Sequence, residues 1–344
     1  MTPGFKYTAV KDTVFLLLAA ASFCIPGCGG DSDFPAPEPY ESAGRSETAD
    51  VRNETPASRY ATEVFEYTPA PGQYINDTRT GGMTADMTSP EEAALWAKDR
   101  LGRKLFVSLG AFGGYITVGF DHEVVNSRED YDFAIFGNAF LNATGGSSEP
   151  GSVWVMQDAN ANGLPDDTWY ELRGSDYYDS TTIHGYSITY FRPSAPGQPV
   201  EWRDCLGASG SIDYLKAFHT QEYYYPAWIA DDSYTLTGTR LQARTASDPQ
   251  TGFWVNAPFA WGYADNMGED CTALDGMPQA NRFRISDAVD AQGNPVELSA
   301  ISFVKVQTAV LAQAGSLGEV STEVLGFYDL MTQPADNAVP MIRE

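Results

Sequence analysis

Short hydrophobic and aromatic runs separated by turn residues dominate the chain between about residues 60 and 330. Runs such as KLFVSLG, GYITVGF and YSITYFR are rich in Val, Ile, Thr, Tyr and Phe, and Gly, Asn, Asp or Pro residues separate them. This pattern is typical of antiparallel strands joined by turns. No internal repeat of fixed period is present, which argues against a propeller or solenoid. We therefore predict an all-β fold, an antiparallel β-sandwich of jelly-roll type, as one ligand-binding domain over residues 60–330.

One segment, SPEEAALWAKDRLG, departs from this pattern and predicts the single short helix of the domain. Ser89 is placed to cap the helix, Pro90 to occupy its first turn, and Glu92 to complete a capping box. Gly102 predicts its end.

Residues 1–27 predict a lipoprotein signal peptide. Lys6 and Lys11 precede the apolar run VFLLLAAASF, which is too short to span a bilayer. Cys28 follows IPG, as in a bacterial lipobox, so we expect this cysteine to carry a lipid anchor. An ordinary signal peptide with an incidental cysteine is the alternative. The acidic GGDSDF that follows resembles the surface-export signal of Bacteroidetes lipoproteins, which implies an outer-membrane lipoprotein exposed at the cell surface.

The regions flanking the domain and the overall charge limit the partners of the chain. Residues 28–59 are rich in Pro, Glu, Ser and Asp and predict a disordered tether, and residues 331–344 predict a loose tail. The formal net charge of −25, from 46 acidic and 21 basic residues, disfavours nucleic acid and anionic lipid as partners. We therefore expect the protein to reach a membrane only through its lipid anchor.

The stretch QDANANGLPDDTWYEL concentrates side-chain oxygens at alternate positions. Counted from Asp158, its offsets match the first half of a calcium-binding loop, with Gly163 at the sharp turn. Trp169 replaces the bidentate Glu of an EF-hand, and a strand follows instead of a helix, so the loop resembles those of dockerin-like or thrombospondin-like repeats. A turn held by Asx hydrogen bonds without metal is the alternative. The predicted ligands of a structural Ca²⁺ are Asp158, Asn160, Asn162, Leu164, Asp166 and Asp167.

Two other features leave alternatives open. The acidic stretch YADNMGEDCTALDG has no regular spacing of carboxylates and favours a solvated loop over a second metal site. Cys205 and Cys271 are the two cysteines outside the N-terminal segment. A disulfide between them would suit an exported protein, and two free thiols are the alternative.

A catalytic constellation does not stand out. His122, His184 and His219 lack the spacing of a zinc helix, and the chain contains no P-loop and no complete GxSxG elbow. Carboxylates are plentiful, but nothing in the sequence marks two of them as a glycosidase pair. We therefore expect a protein that is not an enzyme.

Aromatic residues cluster in two loop-like stretches, FHTQEYYYPAWI and GFWVNAPFAWGYADN. Aromatic loops on a rigid sandwich suit flat or amphipathic ligands, although aromatic residues also fill cores. Three adjacent tyrosines followed by a proline are hard to bury together, so we expect at least one to be exposed. The predicted ligand-binding residues are Tyr223, Tyr224, Tyr225, Trp228, Trp254, Trp261, Tyr263 and Asn266.

Several long runs resemble one family. These are VSLGAFGGYITVGFDHEVVN, YDFAIFGNAF, SSEPGSVWVMQDANANGLPDDTWYELRGSDY, YSITYFRP, WGYADN and GEVSTEVLGFYDL. Together they resemble the cobalamin-binding BtuH-type cell-surface lipoproteins of the Bacteroidetes, which are encoded beside corrinoid uptake systems. The resemblance spans about residues 105–330.

The resemblance implies capture of cobalamin or related corrinoids at the cell surface and their delivery to a TonB-dependent outer-membrane transporter or its surface lipoprotein. The DxHxxG pattern of enzymes that bind cobalt through a histidine is absent, so the implied binding does not use cobalt ligation. Aromatic loops and structural calcium also suit a surface glycan-binding or adhesion module. A secreted hydrolase is the least favoured alternative.

Overall fold

The computed structural model describes residues 57–78, 82, 87–142 and 145–332. The predicted signal peptide at 1–27, with Cys28 and most of the predicted tether at 28–59, lies outside the described residues, as do residues 333–344 of the predicted tail. Ser58 and Arg59 already contact the domain, because the Ser58 N–H donates to Asp121 Oδ2 (3.1 Å) and Arg59 Nη1 donates to the Tyr328 hydroxyl (2.6 Å).

The prediction of a mostly β protein with one helix is confirmed. Strands account for 38% of the described residues and helical residues for 7%. The strands of the described residues are β1 (Glu63–Thr68), β2 (Val107–Ser108), β3 (Tyr115–Val125), β4 (Phe133–Phe136), β5 (Phe140–Asn142), β6 (Gly145–Ser147), β7 (Gly151–Met156), β8 (Tyr170–Leu172), β9 (Ile183–Phe191), β10 (Val200–Asp204), β11 (Ser209–Ile212), β12 (Ser233–Arg240), β13 (Thr245–Ser247), β14 (Trp254–Asn256), β15 (Cys271–Leu274), β16 (Met277–Phe283), β17 (Ala288–Val289), β18 (Ala300–Thr308), β19 (Glu323–Val324) and β20 (Gly326–Asp329).

Helix α1 (Pro90–Gly102) begins and ends where the sequence predicts. The Ser89 hydroxyl accepts from the Glu92 N–H (3.2 Å), and the Glu92 carboxylate accepts from the Ser89 N–H (3.2 Å), so both halves of the capping box form. Its buried Ala93 and Ala97 pack into the largest core. No helix among the described residues is long and apolar enough to cross a membrane.

The strands form one six-stranded sheet, three four-stranded sheets and one two-stranded sheet. Their orders are β1-β3-β18-β7-β8-β17, β11-β10-β9-β12, β13-β14-β6-β5, β15-β16-β4-β20 and β19-β2. Every pairing between these strands is antiparallel except that of β6 with β14, where Ser147 opposes Asn256. The largest core lies between the six-stranded sheet and the β15-β16-β4-β20 sheet, with Val118 and Val306 on one side and Ile135 and Phe327 on the other.

The predicted jelly roll is wrong. The arrangement is propeller-like, with four blades, instead of a jelly-roll sandwich. Short alternating runs look alike in both architectures, and the difference lies in which distant strands pair: β3 pairs with β18, and β4 pairs with β16 and β20. The absence of a fixed repeat did not exclude this arrangement, because sheets of unequal strand number and connection need no common period.

Candidate functional site

A cavity of about 580 Å³ opens among the β5–β6 hairpin, β14 and the short 3₁₀ segment Gly315–Leu317. Its volume falls within the range of small-molecule sites. Its lining divides into an acidic floor and an apolar rim, and we use these two names for the residue sets given below.

The floor consists of four carboxyl groups: Glu149, Asp265, Glu319 and Glu323. One oxygen from each of Glu149, Asp265 and Glu323 lies within 4.8 Å of the others. Glu149, Glu319 and Glu323 line the cavity directly, while Asp265 is fully buried beneath them. None of the described residues lining the cavity is Lys, Arg or His, so the floor has no basic partner there.

Hydrogen bonds with at least one main-chain partner hold three distant segments together at the floor. The Glu149 N–H donates to the Asp265 carbonyl (2.9 Å), and the Thr322 hydroxyl donates to the Glu149 carbonyl (2.7 Å). Asp265 Oδ2 accepts from the Glu323 N–H (3.0 Å). Pro150 follows Glu149 and favours an extended backbone there. The carboxyl groups are therefore positioned by rigid main chain.

Asp265 is fixed more tightly than the other floor residues. Its Oδ1 accepts from the backbone N–H groups of Asn138 (2.9 Å) and Ala139 (2.7 Å). Its φ of 53° lies in the left-handed region, which non-glycine residues rarely occupy and which clusters at functional sites. The carboxylate thus links the connection between β4 and β5 to the start of β19.

Burial without basic partners raises the pKa values of the whole floor. Burial raises the pKa of Glu319 to about 8 and that of Glu323 to about 7. Burial and the charge of Glu323 raise the pKa values of Glu149 and Asp265 well above their ordinary range, while backbone N–H donors oppose the shift at Asp265. These shifts favour the protonated form of the floor carboxyl groups, and a bound cation or hydrogen-bond donor would favour their ionised form.

The rim is apolar and largely exposed. Phe140, Phe253 and Leu317 are 51%, 59% and 59% exposed, and the half-buried Trp254 lies beside them against Gly315. Exposed aromatic faces above buried acceptors suit an amphipathic ligand, which stacks on the rim and donates hydrogen bonds to the floor.

Of the predicted ligand-binding aromatics, Trp254 is the one that lines this cavity. Tyr224, Tyr225, Trp228 and Tyr263 are at most 5% exposed, which corrects their assignment to an exposed site. Each tyrosine satisfies its hydroxyl inside the protein; that of Tyr225, for example, donates to the Asp231 carbonyl (2.9 Å). Two consecutive tyrosines, Tyr224 and Tyr225, are therefore buried together, because nearby backbone carbonyls accept their hydroxyls.

The remaining predicted residues of this set also lie away from the cavity. Tyr223 is half-buried, and the half-buried Trp261 lines a much smaller recess of about 20 Å³ beside Arg173. Asn266 is fully buried and supports the loop, since its Oδ1 accepts from the Phe259 N–H (2.9 Å).

The first part of the second acidic loop is buried, contrary to the prediction, while Asp275 near its end is exposed and pairs with Lys104 (3.0 Å). Asp265, Asn266 and Asp270 are at most 1% exposed. Asp270 Oδ2 accepts from the Gly262 N–H (2.9 Å), so the carboxylate serves to fold the loop. Irregular spacing concealed this role, because a loop that folds around its own side chains needs no periodic pattern.

The loop predicted to bind calcium is a surface turn with an internal hydrogen-bond network. Asp158 accepts from the N–H groups of Asn162 (3.1 Å) and Gly163 (2.8 Å). Asp166 accepts from the side-chain amides of Asn160 and Asn162, which lowers its pKa. Asp167 accepts from the Ala159 N–H (2.9 Å), and the Leu164 carbonyl accepts from the Asp166 N–H (2.9 Å). These hydrogen bonds are the ones that the Asx-turn alternative predicts. They also hold the predicted calcium ligands close together in one loop.

Cys205 and Cys271 do not form the predicted disulfide. Both are free, with Cys205 exposed and Cys271 half-buried. Cys205 follows β10 and Cys271 begins β15, and these strands belong to different sheets. Sequence alone could not show this, because disulfide formation depends on the separation of the two Cα atoms.

Sequence reasoning missed Glu149, Glu319, Glu323, Phe140 and Phe253. One feature of the sequence could have indicated most of these residues, because they lie in four of the long runs quoted above. Glu149 lies in the run SSEPGSVWVMQD, Phe140 in YDFAIFGNAF, Asp265 in WGYADN, and Glu319 and Glu323 in GEVSTEVLGFYDL. Four of the six long runs quoted above therefore contribute residues to this one cavity or to the carboxyl cluster at its floor.

Comparison with protein-family models and with curated proteins yields no match for this chain.

Proposed function

We propose that this chain is a cell-surface lipoprotein that captures a corrinoid in the rim-and-floor cavity and delivers it, chemically unchanged, to a TonB-dependent outer-membrane transporter. The observation that supports a binding role is the apolar aromatic rim above a floor of buried acceptors. A corrinoid matches both parts, because its ring presents broad apolar faces and its fringe of amides presents N–H donors. The family resemblance selects the corrinoid among such ligands.

Calorimetric titration of the purified full chain with cyanocobalamin tests this proposal. We expect one-to-one binding, and we expect Phe253→Ala and Trp254→Ala to weaken it by about 1–3 kcal/mol each, the range for loss of a stacked aromatic contact. Phe218→Ala is the matched control, because Phe218 is 60% exposed and does not line the cavity. Absence of binding, or equal loss in all three variants, would reject the proposal.

A surface glycan is the second candidate ligand, and the same geometry favours it. Exposed Phe253 and Phe140 beside carboxylate acceptors form the arrangement in which sugar faces stack and sugar hydroxyls donate. A glycan array probed with wild type and Trp254→Ala distinguishes the two ligands. Binding to glycans that Trp254→Ala abolishes, without corrinoid binding, would replace the first candidate.

We also propose that the loop at 158–167 binds one structural Ca²⁺. Occupancy of this loop site at a calcium concentration about 100 times its dissociation constant should contribute about 2.7 kcal/mol to the stability of the wild-type fold. Asp158→Ala combined with Asn162→Ala removes two of the proposed ligands. Calorimetric calcium titration of this double variant should then show one calcium site fewer than titration of the wild type. Thermal unfolding with and without chelator provides the second measurement. An unchanged number of calcium sites in the double variant would leave the Asx turn as the whole explanation of this loop.

A further inference from the structure

Two buried acceptors of the cavity, one in the floor and one beside it, have no donor from the protein. Asn256 is 7% exposed; its Nδ2 donates to Ser147 Oγ (3.1 Å) and approaches Glu149 Oε1 (3.4 Å), and its Oδ1 has no partner. Glu319 is 3% exposed; its Oε1 accepts from the Gln73 N–H (2.7 Å), and its Oε2 has no partner. Both residues line the cavity. A buried acceptor without a partner lowers the stability of the folded protein by about 1–3 kcal/mol. A bound hydrogen-bond donor or cation would remove this cost.

The spacing of the carboxylates fits a single metal ion. Two oxygens that each lie about 2.4 Å from a Ca²⁺ ion are separated by at most about 4.8 Å. The oxygens of Glu149, Asp265 and Glu323 meet this limit among themselves. The surrounding groups are carboxylate, amide and hydroxyl oxygens, with no His or Cys among the described residues of the lining. Such a donor set selects a hard cation.

We propose that Glu149, Asp265 and Glu323 bind one Ca²⁺-type divalent cation at the floor of the cavity, with Asn256 Oδ1 and Glu319 Oε2 as further acceptors beside it. This site is distinct from the loop at 158–167 and does not depend on which organic ligand the rim receives. Three carboxylates leave positions open on an ion that takes six to eight oxygens. Water, or oxygen atoms of a bound ligand, would complete the shell.

The floor is preorganised for this ion. Asp265 is held by three backbone N–H groups, and Ser321 Oγ donates to Glu323 Oε1 (2.9 Å). The side chains of Glu149 and Glu323 hydrogen-bond to each other, which requires a proton between the two carboxyl groups. A carboxyl group must lose its proton to bind a metal ion, so binding of the cation should release protons and its affinity should rise with pH.

Calcium titration of the full chain carrying Asp158→Ala and Asn162→Ala tests the site without interference from the loop. After removal of metal by chelator, we expect one calcium site at pH 8, with proton release detected by calorimetry in two buffers of different ionisation enthalpy. Tb³⁺ should bind there and luminesce on excitation of Trp254, which lines the same cavity. Glu149→Gln and Glu323→Gln should each weaken calcium more than about 100-fold, since even changes outside the ligand shell lower metal affinity 10–100-fold.

The exposed Glu297 provides the control, and Glu297→Gln should leave calcium affinity unchanged. Glutamine is isosteric with the protonated acid, so thermal unfolding in chelator should show that the floor variants remain folded. Absence of calcium binding at pH 8 in the loop variant would overturn the inference, as would binding that neither floor variant weakens. The titration uses no organic ligand, so its outcome is separate from that of the corrinoid titration.

Discussion

Tyr224→Ala should lower the free energy of unfolding by about 3–5 kcal/mol, the range for removing a large buried ring. The Tyr224 side chain is fully buried. Its hydroxyl accepts from the Leu215 N–H (3.0 Å) and donates to the His219 carbonyl (3.0 Å), and its ring lies 5.1 Å from that of Tyr214. Removal would leave a cavity and two unpaired backbone groups. Urea unfolding followed by tryptophan fluorescence measures the change.

Two controls separate this structural role from ligand binding. Tyr224→Phe keeps the ring and loses the hydroxyl, so we expect a smaller loss of about 1–3 kcal/mol from the unpaired backbone groups. Tyr223→Ala alters the half-buried neighbour and should cost less than Tyr224→Ala. If Tyr224→Ala weakened ligand binding while unfolding at the wild-type urea concentration, the interpretation of Tyr224 as a core residue would be wrong.

Stability in chelator should fall as the pH rises from about 5 to 8. Burial raises the folded-state pKa of Glu319 to about 8 and that of Glu323 to about 7, from an ordinary value of 4.5. Between these values the folded protein holds more protons than the unfolded chain, so each group favours folding at low pH. Each contributes a slope of up to about 1.4 kcal/mol per pH unit. Chemical unfolding at several pH values measures this slope.

Substitution of one floor residue isolates its contribution. Glu319→Gln resembles the protonated acid, so this variant should match wild type at pH 5 and exceed its stability at pH 8. Part of the slope should remain, because Glu323, whose pKa is raised to about 7, is unchanged in this variant. His122 acts in the same direction: burial lowers its pKa, but hydrogen bonds to Asp121 and Asp329 raise it above 6.5. If the free energy of unfolding of the wild type did not change between pH 5 and pH 8, the floor carboxyl groups would have ordinary pKa values and this prediction would be wrong.

The local features of the fold could be predicted from the sequence. The capping box of α1 depends on Ser89 and Glu92, which are three residues apart, and the structure forms both of its hydrogen bonds. The predominance of strands follows from runs of β-branched and aromatic residues between turns. Such features depend on groups within a few residues of one another, so the sequence contains all the participants.

The site depended on contacts between distant residues. Glu149, Asp265 and Glu323 belong to three separate segments, and the pairing of those segments brings one oxygen of each within 4.8 Å. The same long-range pairing buries Tyr224, leaves Phe253 exposed and separates Cys205 from Cys271. By itself, the sequence determined the secondary-structure class, the helix bounds and the candidate calcium loop, because each is a local pattern. The tertiary structure alone decided the sheet arrangement, the buried aromatics and the acidic floor, because burial and proximity are properties of the packed chain.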